Sequence, residues 1–384
     1  MIPYGWQDIN QQDIDEVVAV LRSDWLTQGP KVPEFEQAVA MYCSAKYAVA
    51  VNSATSALHI ACLALGLSEG DYLWTSPNTF IASANCALYC GASVDFVDID
   101  PRTYNMSVAA LEEKLISAEK QGKLPKVVVP VHFAGQSCEM ATIKKLGGKY
   151  GFSILEDASH AIGGKYRDEP IGNCRFSDIT VFSFHPVKII TTGEGGMALT
   201  NNSELAQRMA RLRTHGITRD ADLMTEEPHG PWYYQQIELG FNYRITDIQA
   251  ALGVSQLQRL DEFILRRHEI AERYNAAFEH LQLIRPWQHS DCFSAYHLYV
   301  VRLQSQINKL RLNVFNQLRA SEIGVNIHYI PIHTQPFYRK LGFKVTDFPE
   351  AEGYYQEAIS LPMYPTLSAN QQTQVIETLQ AILS

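Results

Sequence analysis

Residues 46–67 read KYAVAVNSATSALHIACLALGL and join two apolar segments through a short run of small polar residues. The first segment, Lys46–Asn52, is short and rich in Val and Ala, as expected of a buried β-strand. The second, Thr55–Leu67, is long enough to be an apolar helix. Strand and helix patterns keep alternating to about residue 200, and the strands are nearly continuous apolar runs. This predicts an α/β fold with a mixed, mostly parallel sheet that helices cover on both faces.

The remaining elements follow from the same periodicities. Further strands are predicted at Asp71–Ser76, Ser93–Asp98, Lys126–His132, Phe152–Asp157, Thr180–Phe184, Gly196–Thr200, Tyr296–Leu303 and Gly324–Tyr329. Further helices are predicted at Ile81–Cys90, Met140–Tyr150, Ser203–Arg213, Asp247–Tyr274, Asn308–Ser321 and Ala369–Leu383. The mixture of strands and helices in the last hundred residues indicates a smaller α+β domain. We therefore place a large domain at residues 1–250 and a small C-terminal domain at residues 251–384.

The composition argues against several classes of protein. A net charge of −9 leaves no stripe of Lys and Arg for nucleic acid. The N-terminus lacks a basic, apolar leader, and the longest apolar run, residues 57–67, is too short to cross a bilayer, so we expect no membrane segment. Seven scattered cysteines suit reduced thiols and indicate a cytoplasmic protein. Cys86 and Cys90 lack a second pair of ligands, so no metal is expected.

Ligands of open α/β sheets bind at the carboxyl ends of the strands, so we expect the reactive residues there. The first strand ends in Asn52-Ser-Ala-Thr-Ser-Ala57, just before the apolar helix. Small residues at a helix start let backbone N–H groups approach a phosphate, whose charge the helix dipole favours. An ordinary Ser or Thr helix cap explains the same residues.

A second strand runs into Leu155-Glu-Asp-Ala-Ser-His160. An aspartate at a strand end can pair with a pyridinium nitrogen and keep it protonated, which makes such a ring an electron sink. Taken alone, Asp157 is equally compatible with a metal ligand or a helix cap.

A third strand leads into Phe182-Ser-Phe-His-Pro-Val-Lys-Ile-Ile-Thr-Thr-Gly-Glu-Gly-Gly196. Lys188 follows the strand in an apolar setting, and burial lowers the pKa of a lysine, so that more of it is the neutral, nucleophilic amine. Ser183 and the glycines of the turn are candidates to hold a phosphate. The competing interpretation of a single lysine near a strand is a surface residue with a buried stem.

Four segments in this order, SATSALHIA, EDASHAIG, FSFHPVKIITTGEGGM and GFNYRITDIQAALG, resemble the DegT/StrS-type sugar aminotransferases. That family has the aspartate-aminotransferase fold (fold type I), with a large cofactor domain and a small C-terminal domain. The resemblance covers essentially the whole chain and is most specific in the lysine and glycine-rich segment. It implies an aminotransferase whose cofactor is pyridoxal 5′-phosphate, which alternates with pyridoxamine phosphate.

The resemblance also assigns catalytic and phosphate-binding roles. Lys188 matches the lysine that forms a Schiff base with the cofactor, and Asp157 matches the partner of its pyridinium nitrogen. Ala54 and Thr55 match the backbone that cradles the phosphate, and Ser183 matches the hydroxyl that binds it.

Further matches concern the ring, the neighbouring subunit and the substrate. His160 matches the position beside the cofactor ring, and Phe80 matches the aromatic residue that stacks on its face. Asn242 matches the residue that reaches the phosphate of the neighbouring subunit, which implies a homodimer with shared active sites. The positions that match the nucleotide-sugar site are Tyr4, Arg244, His328 and Tyr329.

Within the family, the segments IPYGWQDI, SDWLTQGP, HGPWYYQQIELGFNYR and VNIHYIPIH resemble the branch that serves pseudaminic-acid synthesis. This implies transfer of an amino group from L-glutamate to C4 of UDP-2-acetamido-2,6-dideoxy-β-L-arabino-hexos-4-ulose. An enzyme for another 4-keto or 3-keto sugar would keep every cofactor residue. A dehydratase branch of the family has histidine where this chain has Lys188, so the lysine argues against a dehydratase. A catalytically silent binding protein of this fold is the alternative from another class, against which intact Lys188 and Asp157 argue.

Several candidates have a structural interpretation as well. Phe80 and Tyr329 are aromatic and could be core residues. His328 and His333 could suggest a metal pair, but no carboxylate cluster supports one. Other histidines, His185 among them, could be structural. Glu194 could face the substrate or serve only the glycine-rich turn.

Overall fold

The computed structural model describes residues 1–304 and 311–383. Its helices are α1 (Gln11–Leu21), α2 (Lys31–Cys43), α3 (Ala54–Ala64), α4 (Ala82–Tyr89), α5 (Val108–Gln121), α6 (Met140–Tyr150), α7 (Ser203–Leu212), α8 (Asp247–Gln258), α9 (Leu260–Ala277), α10 (Arg311–Ala320), α11 (Pro336–Lys340), α12 (Pro349–Glu357) and α13 (Ala369–Leu383). Its strands are β1 (Tyr47–Val51), β2 (Tyr72–Thr75), β3 (Ser93–Phe96), β4 (Val127–Val129), β5 (Ser153–Asp157), β6 (Lys165–Tyr166), β7 (Glu169–Pro170), β8 (Ile179–Ser183), β9 (Gly196–Thr200), β10 (Ile217–Thr218), β11 (Gln235–Gln236), β12 (Leu283–Ile284), β13 (Cys292–Phe293), β14 (Tyr299–Leu303) and β15 (Ala358–Leu361).

A seven-stranded sheet with the order β1-β9-β8-β5-β4-β2-β3 organises the first 200 residues. β5 pairs parallel with β4 and β8, and β2 pairs parallel with β3 and β4. β9 runs antiparallel to both of its neighbours, β1 and β8. The α/β class with a mostly parallel sheet is therefore confirmed.

Apolar side chains on both faces explain why the central strands read as continuous apolar runs. Along β8, Val181 belongs to the apolar cluster that contains α3, whereas the next residue, Phe182, belongs to the cluster that contains α2 and α8. Successive side chains of a strand point to opposite faces. Helices therefore cover this sheet on both sides, and its strand ends form the accessible edge.

β1, β5 and β8 point in the same direction because β9 is antiparallel to both β1 and β8. Their carboxyl ends consequently lie at one edge of the sheet. The start of α3, the side chain of Asp157 and the hydroxyl of Ser183 all belong to this edge.

The predicted elements up to Thr200 correspond to observed ones within three residues at either end. The strand pair around the glycine-rich segment is present as β8 and β9. The patterns did not predict α1, α2 and α5. The apolar face of α5 is narrow, since only Leu111, Leu115 and Ala118 are buried.

The prediction of one long helix over Asp247–Tyr274 is wrong. α8 ends at Gln258 and α9 begins at Leu260. Arg259 stands between them with φ −102° and ψ 4°. Its Nη2 donates to the carbonyl oxygen of Asp8 at 3.0 Å and to Oδ2 of Asp13 at 2.6 Å, so contacts with the N-terminal segment hold the chain at the break.

The predicted strand Gly324–Tyr329 is also wrong. Its N–H groups are distributed among unrelated acceptors: Gly324 N donates to Ile2 O at 2.6 Å, and Tyr329 N donates to Asn78 Oδ1 at 3.2 Å. A single bridge joins Asn326 to Ser360. Long-range contacts with several segments thus replace a regular ladder.

Smaller elements complete the fold. β12, β14 and β15 form an antiparallel sheet, and the strand predicted from Tyr296 begins only at Tyr299. The predicted helix Asn308–Ser321 is seen from Arg311, and its first residues lie outside the described part of the chain. No helix among residues 1–304 and 311–383 is long and apolar enough to cross a bilayer.

Candidate active site

A cavity of about 840 Å³ opens at the carboxyl edge of the seven-stranded sheet. Ten of the twelve residues proposed from the sequence line it: Tyr4, Ala54, Thr55, Phe80, Asp157, His160, Ser183, Lys188, His328 and Tyr329. Asn242 and Arg244 do not. Segments far apart in the chain therefore converge on one place.

The N-terminus of α3 faces this cavity. Ser53 is its N-cap, and its Oγ accepts a hydrogen bond from Ser56 N at 3.1 Å, so the interpretation as an ordinary cap is correct. The N–H groups of Ala54 and Thr55 precede the first i→i−4 hydrogen bond, which runs from Ala57 N to Ser53 O at 3.1 Å. They remain available, and the positive end of the helix dipole lies beside them. The helix start is therefore suited to bind an anion.

Gly196 brings β9 against this helix start. A Cβ at Gly196 would lie 2.4 Å from Ala54 N and 2.5 Å from Ser53 C, so only glycine permits the approach. Ser183, the last residue of β8, is the ladder partner of Gly196. The pairing brings its hydroxyl to the edge where α3 begins.

Asp157 is the last residue of β5, and its side chain is buried at the cavity wall. Its Oδ2 accepts from Ser83 Oγ at 2.6 Å, and its Oδ1 accepts from Ser159 N at 3.1 Å. Both donors are neutral. The carboxylate is thus held in place by two hydrogen bonds at the cavity wall.

Lys188 lies in a turn after β8, where its N–H donates to His185 O at 2.8 Å. Burial lowers the pKa of its ammonium group to about 8, and the negative charge of Asp157 opposes the shift. At pH 7 the side chain is consequently neutral in about a tenth of the molecules, whereas an ordinary lysine is neutral in about three of ten thousand. The lysine therefore offers a nucleophilic amine inside the cavity.

His160 is fixed at both ring nitrogens. Ala134 N–H donates to Nδ1 at 3.3 Å, which assigns the proton to Nε2, and Nε2 lies 3.0 Å from the hydroxyl oxygen of Tyr329. Burial, followed by the charges of Lys188 and His328, lowers the pKa of His160 well below its ordinary value. The imidazole is therefore neutral, and each of its nitrogens has a defined partner.

Aromatic rings form one side of the cavity. Phe80 is 58% exposed, so it is not a core residue, and its ring centroid lies 6.3 Å from that of Tyr329. Burial, followed by the negative charge of Asp157, raises the pKa of the Tyr329 phenol. Its hydroxyl stays protonated at neutral pH and can donate a hydrogen bond.

Tyr4 and His328 form another part of the wall, with ring centroids 5.4 Å apart. His328 Nδ1 lies 2.8 Å from Ser360 Oγ, and burial together with the charge of Lys188 lowers the pKa of His328 to about 3. His333 instead contacts Glu352 at 2.9 Å. Among the residues that the structure describes, no group of three or more His, Cys, Asp or Glu side chains could hold a metal.

Asn242 and Arg244 lie beside β1 instead of in the cavity. Asn52 N donates to Tyr243 O at 2.9 Å, and single bridges join Arg244 to Val51 and Asn242 to Thr214. The side chain of Asn242 is exposed. Within one chain, these two residues therefore make no part of the cavity wall.

Sequence reasoning missed several lining residues. His297 and Asn326 line the cavity, and neither belongs to a motif at a strand end. Gln249 lies within the GFNYRITDIQAALG segment, and its Nε2 donates to the carbonyl oxygen of Glu194 at 2.8 Å. Glu194 and His185 are exposed at the cavity. Nδ1 of His185 also accepts a hydrogen bond from Val187 N at 3.4 Å, so this histidine has a structural contact as well as a place in the lining.

Comparison with known proteins identifies the family. The model of the DegT/DnrJ/EryC1/StrS aminotransferase family matches residues 7–380. The chain belongs to this family. It is 38% identical over 384 residues to the UDP-4-amino-4,6-dideoxy-N-acetyl-beta-L-altrosamine transaminase of Campylobacter jejuni, covering 100% of this chain and 98% of that protein.

Two solved structures are similar over nearly their whole length. The Helicobacter pylori aminotransferase PseC, involved in the biosynthesis of pseudoaminic acid, has a TM-score of 0.90 at 30% identity, covering 100% of this chain and 99% of that one. The putative sugar aminotransferase Spr1654 from Streptococcus pneumoniae in its PMP form has a TM-score of 0.91 at 30% identity, with the same coverage. The resemblance and fold type I are thereby confirmed. The protein is a sugar aminotransferase, and its cofactor is pyridoxal phosphate.

The groups in the cavity fit this cofactor. The free N–H groups of Ala54 and Thr55 suit its phosphate, the carboxylate of Asp157 suits a protonated ring nitrogen, and the amine of Lys188 suits its aldehyde. In one cavity, the charge of a bound phosphate and of Asp157 would be balanced in part by that of Lys188. The chemistry of the donor set therefore agrees with the family.

Proposed function

We propose that this cavity is the pyridoxal-phosphate site and that the enzyme aminates C4 of UDP-2-acetamido-2,6-dideoxy-β-L-arabino-hexos-4-ulose with L-glutamate. The product is UDP-4-amino-4,6-dideoxy-N-acetyl-β-L-altrosamine, a precursor of pseudaminic acid for flagellin or surface glycans. The observation that carries the proposal is that Lys188, Asp157 and the start of α3 line one cavity at the ends of three strands. The choice of sugar is supported by the identity with the Campylobacter transaminase.

Lys188 supplies the amine and moves the proton in this proposal. Its pKa of about 8 lets the side chain give up and regain a proton near neutral pH at little cost. Both halves of an amino transfer need a proton to move between two carbon atoms, and one lysine can serve both directions.

Asp157 holds a positive charge where the ring nitrogen binds. Pyridoxal phosphate, when bound, withdraws electrons into its ring and carries the amino group between the two substrates. The hydrogen bonds from Ser83 and Ser159 keep the carboxylate oriented without neutralising it. His160 and Phe80 would flank the ring, and Ser183 would add a hydroxyl to the phosphate cradle.

The charges of the cavity support a homodimer with shared sites. Among its described lining residues, Lys188 is the only Lys or Arg, whereas Asp157 and Glu194 carry negative charge. A phosphate, a nucleoside diphosphate and glutamate all require positive or hydrogen-bonding groups. We assign part of this requirement to a second copy of the chain, with Asn242 at the phosphate and Arg244 near the nucleotide sugar.

Neutral hydrogen-bonding groups suit the sugar. Tyr4, His328 and Tyr329 present two phenols and a neutral imidazole at the cavity wall. Aromatic faces with polar tips bind the alternating apolar and hydroxyl faces of a hexose. The reaction is placed in the cytoplasm, in keeping with seven unpaired cysteines.

A substrate panel tests the proposed reaction. The purified enzyme is incubated with glutamate and with UDP- and dTDP-linked 4-keto and 3-keto sugars, and the products are identified by mass spectrometry and NMR. The β-L-arabino 4-ketose should react with the highest kcat/KM. Faster turnover of another keto sugar would replace the proposed substrate and leave the aminotransferase assignment intact. If the enzyme neither turned over any sugar nor bound pyridoxal phosphate, the proposal that this cavity is the cofactor site would be contradicted.

Refolding two inactive variants together tests the shared site. Asn242→Asp should damage the partner's phosphate site, whereas Lys188→Ala damages its own. Random reassortment places both defects in one site of each heterodimer and leaves its other site intact, so about a quarter of wild-type activity should return. A mixture as inactive as its folded, dimeric components would show that Asn242 does not act across the interface.

A further inference from the structure

His297 is a buried histidine in the cavity wall for which neither the sequence motifs nor the proposed chemistry provides a role. Its side chain is 4% exposed and lines the cavity. Its Nδ1 has no hydrogen-bond partner among residues 1–304 and 311–383. Leaving a buried polar atom unpaired destabilises a fold, so an imidazole retained there calls for an explanation.

The nearest ring to His297 belongs to His160. The two ring centroids lie 4.3 Å apart, and the ring planes are inclined by 47°. His160 is the residue assigned to the side of the cofactor ring. Ala134 and Tyr329 fix its two nitrogens in the plane of the imidazole, but hydrogen bonds in that plane do not prevent the ring from tilting. His297 supplies a contact against its face.

A buried arginine fixes the backbone behind His297. Arg267 is 1% exposed, and its Nη1 donates to the carbonyl oxygens of Tyr296 at 3.1 Å, His297 at 3.3 Å and Met363 at 3.1 Å. Met363 in turn donates its N–H to the carbonyl oxygen of Tyr4 at 3.0 Å. One guanidinium therefore ties the segment that carries His297 to the segment beside the substrate wall.

The pair of imidazoles is uncharged. Burial, followed by His160, Lys188, Arg267 and His328, lowers the pKa of His297 well below its ordinary value. Two protonated rings at this separation would repel each other, whereas two neutral rings pack. Packing of two neutral, mutually tilted rings is thus the interaction that the site provides.

We propose that His297 is a positioning residue that packs against His160 and holds that ring in place beside the cofactor. The inference rests on the proposed location of the cofactor in this cavity. His297 touches neither the reacting carbon nor the cofactor phosphate in this account. It acts through the ring of His160, with Arg267 as its anchor.

Two substitutions separate packing from hydrogen bonding. His297→Ala removes the ring, whereas His297→Phe keeps a flat ring and removes both nitrogens. The dissociation constant of pyridoxal phosphate is measured by titrating the apo protein and following visible absorbance. We expect the Ala variant to bind about tenfold more weakly and the Phe variant to stay within about twofold of wild type.

His268 provides a matched control outside the cavity. Its ring stacks on Phe293, with centroids 4.2 Å apart, and its Nε2 lies 2.7 Å from Ser294 O. His268→Ala should lower Tm but leave cofactor affinity unchanged. A general loss of packing in this region would weaken cofactor binding in both alanine variants.

A double-mutant cycle tests whether His297 acts through His160. On a His160→Ala background, His297→Ala should weaken cofactor binding no further. His297→Gln takes the place of the alanine variant if that protein does not fold. Wild-type affinity in the Ala variant, an equal loss in the Phe variant, or additive losses in the cycle would each overturn the inference. A wild-type protein that binds no pyridoxal phosphate would instead overturn the proposed location.

Discussion

Two neighbouring carboxylates on β5, Glu156 and Asp157, point to opposite faces of the sheet and have different surroundings. Glu156 faces the buried side, where its oxygens accept hydrogen bonds from Ser177 Oγ and Thr180 Oγ1, the latter at 3.1 Å, and contact His132 Nε2 at 2.6 Å. Asp157 faces the cavity and is bonded by two neutral donors. One carboxylate has its acceptor sites occupied by the protein, and the other keeps a side open to a ligand.

The electrostatics of the two carboxylates differ in the same sense. Burial alone would raise the pKa of Glu156, but His132, Ser177 and Thr180 together hold it below its ordinary value. Asp157 instead acts on its neighbours, since its charge opposes the fall in the pKa of Lys188 and helps to raise that of Tyr329. The hydrogen bonds of Glu156 thus serve stability on one face of the sheet, and we propose that Asp157 serves the chemistry on the other.

The largest expected effect is on the cavity face, at Lys188. Lys188→Ala should reduce kcat to below about a thousandth of wild type, because no other described residue of the cavity lining offers an amine. The visible absorbance of the covalently attached cofactor should be lost as well, while circular dichroism stays unchanged. Lys144→Ala, on the exposed side of α6, is the control and should keep full activity. Retention of a tenth of wild-type kcat would contradict the assignment.

The second prediction exchanges each carboxylate for its amide. Asp157→Asn should lower kcat by about a hundredfold with little change in Tm, since an amide cannot hold the positive ring nitrogen. Glu156→Gln should keep kcat within about threefold but cost about 1–3 kcal/mol of stability. Steady-state kinetics and thermal melts of both variants provide the test. Equal losses of activity in the two variants would contradict the separate roles of Asp157 and Glu156.

Lowering the pH should destabilise the fold through Glu156, on the buried face of β5. Because the folded-state pKa of Glu156 is lowered, its contribution to stability is present above the ordinary pKa of 4.5 and is lost as the pH falls below it. Stability measured by denaturant titration should therefore decline less steeply with acid in Glu156→Gln than in the wild type. Identical slopes in the two proteins would contradict the lowered pKa.

Raising the pH should increase the reactivity of Lys188 on the cavity face. Attachment of pyridoxal phosphate to the apo protein should accelerate about tenfold between pH 7 and pH 9 and then level off, because the pKa of Lys188 is about 8. Asp157→Asn should shift the midpoint to lower pH, whereas Glu156→Gln should leave it in place. A rate that keeps rising through pH 10 would indicate a lysine of ordinary pKa.

The smallest effects come from the serines that support each carboxylate. Ser83→Ala removes the 2.6 Å hydrogen bond to Asp157 and should lower kcat by about threefold to tenfold. Ser177→Ala removes a hydrogen bond to Glu156 and should lower Tm by a few degrees with kcat unchanged. A loss of kcat in Ser177→Ala with a loss of Tm alone in Ser83→Ala would contradict the roles given to the two carboxylates.

The local sequence pattern predicts the parallel sheet and the site residues that follow its strands. Asp157, Ser183 and the start of α3 were placed correctly at strand ends, because alternating apolar segments predict a parallel sheet and its accessible edge. The break at Arg259 was missed, because it depends on Asp8 and Asp13 from the other end of the chain.

Long-range contacts also explain why part of the site was missed. His297 enters the cavity from a segment that Arg267 ties down, and no short motif records that contact. Asn242 and Arg244, which were predicted from resemblance, lie outside the cavity of one chain, and we propose that a second subunit brings them to it. The domain boundary near residue 250 remains a prediction, since α9 contributes Phe263 to one apolar cluster and Tyr274 to another.

Reduction of the holoenzyme with borohydride, followed by peptide mapping, shows which amine holds the cofactor. Reduction fixes pyridoxal phosphate to that amine. We expect one modified peptide, with the pyridoxyl group on Lys188, and no such peptide from Lys188→Ala. Modification of a different lysine, or an unmodified Lys188 in a protein that retains the cofactor, would contradict this expectation.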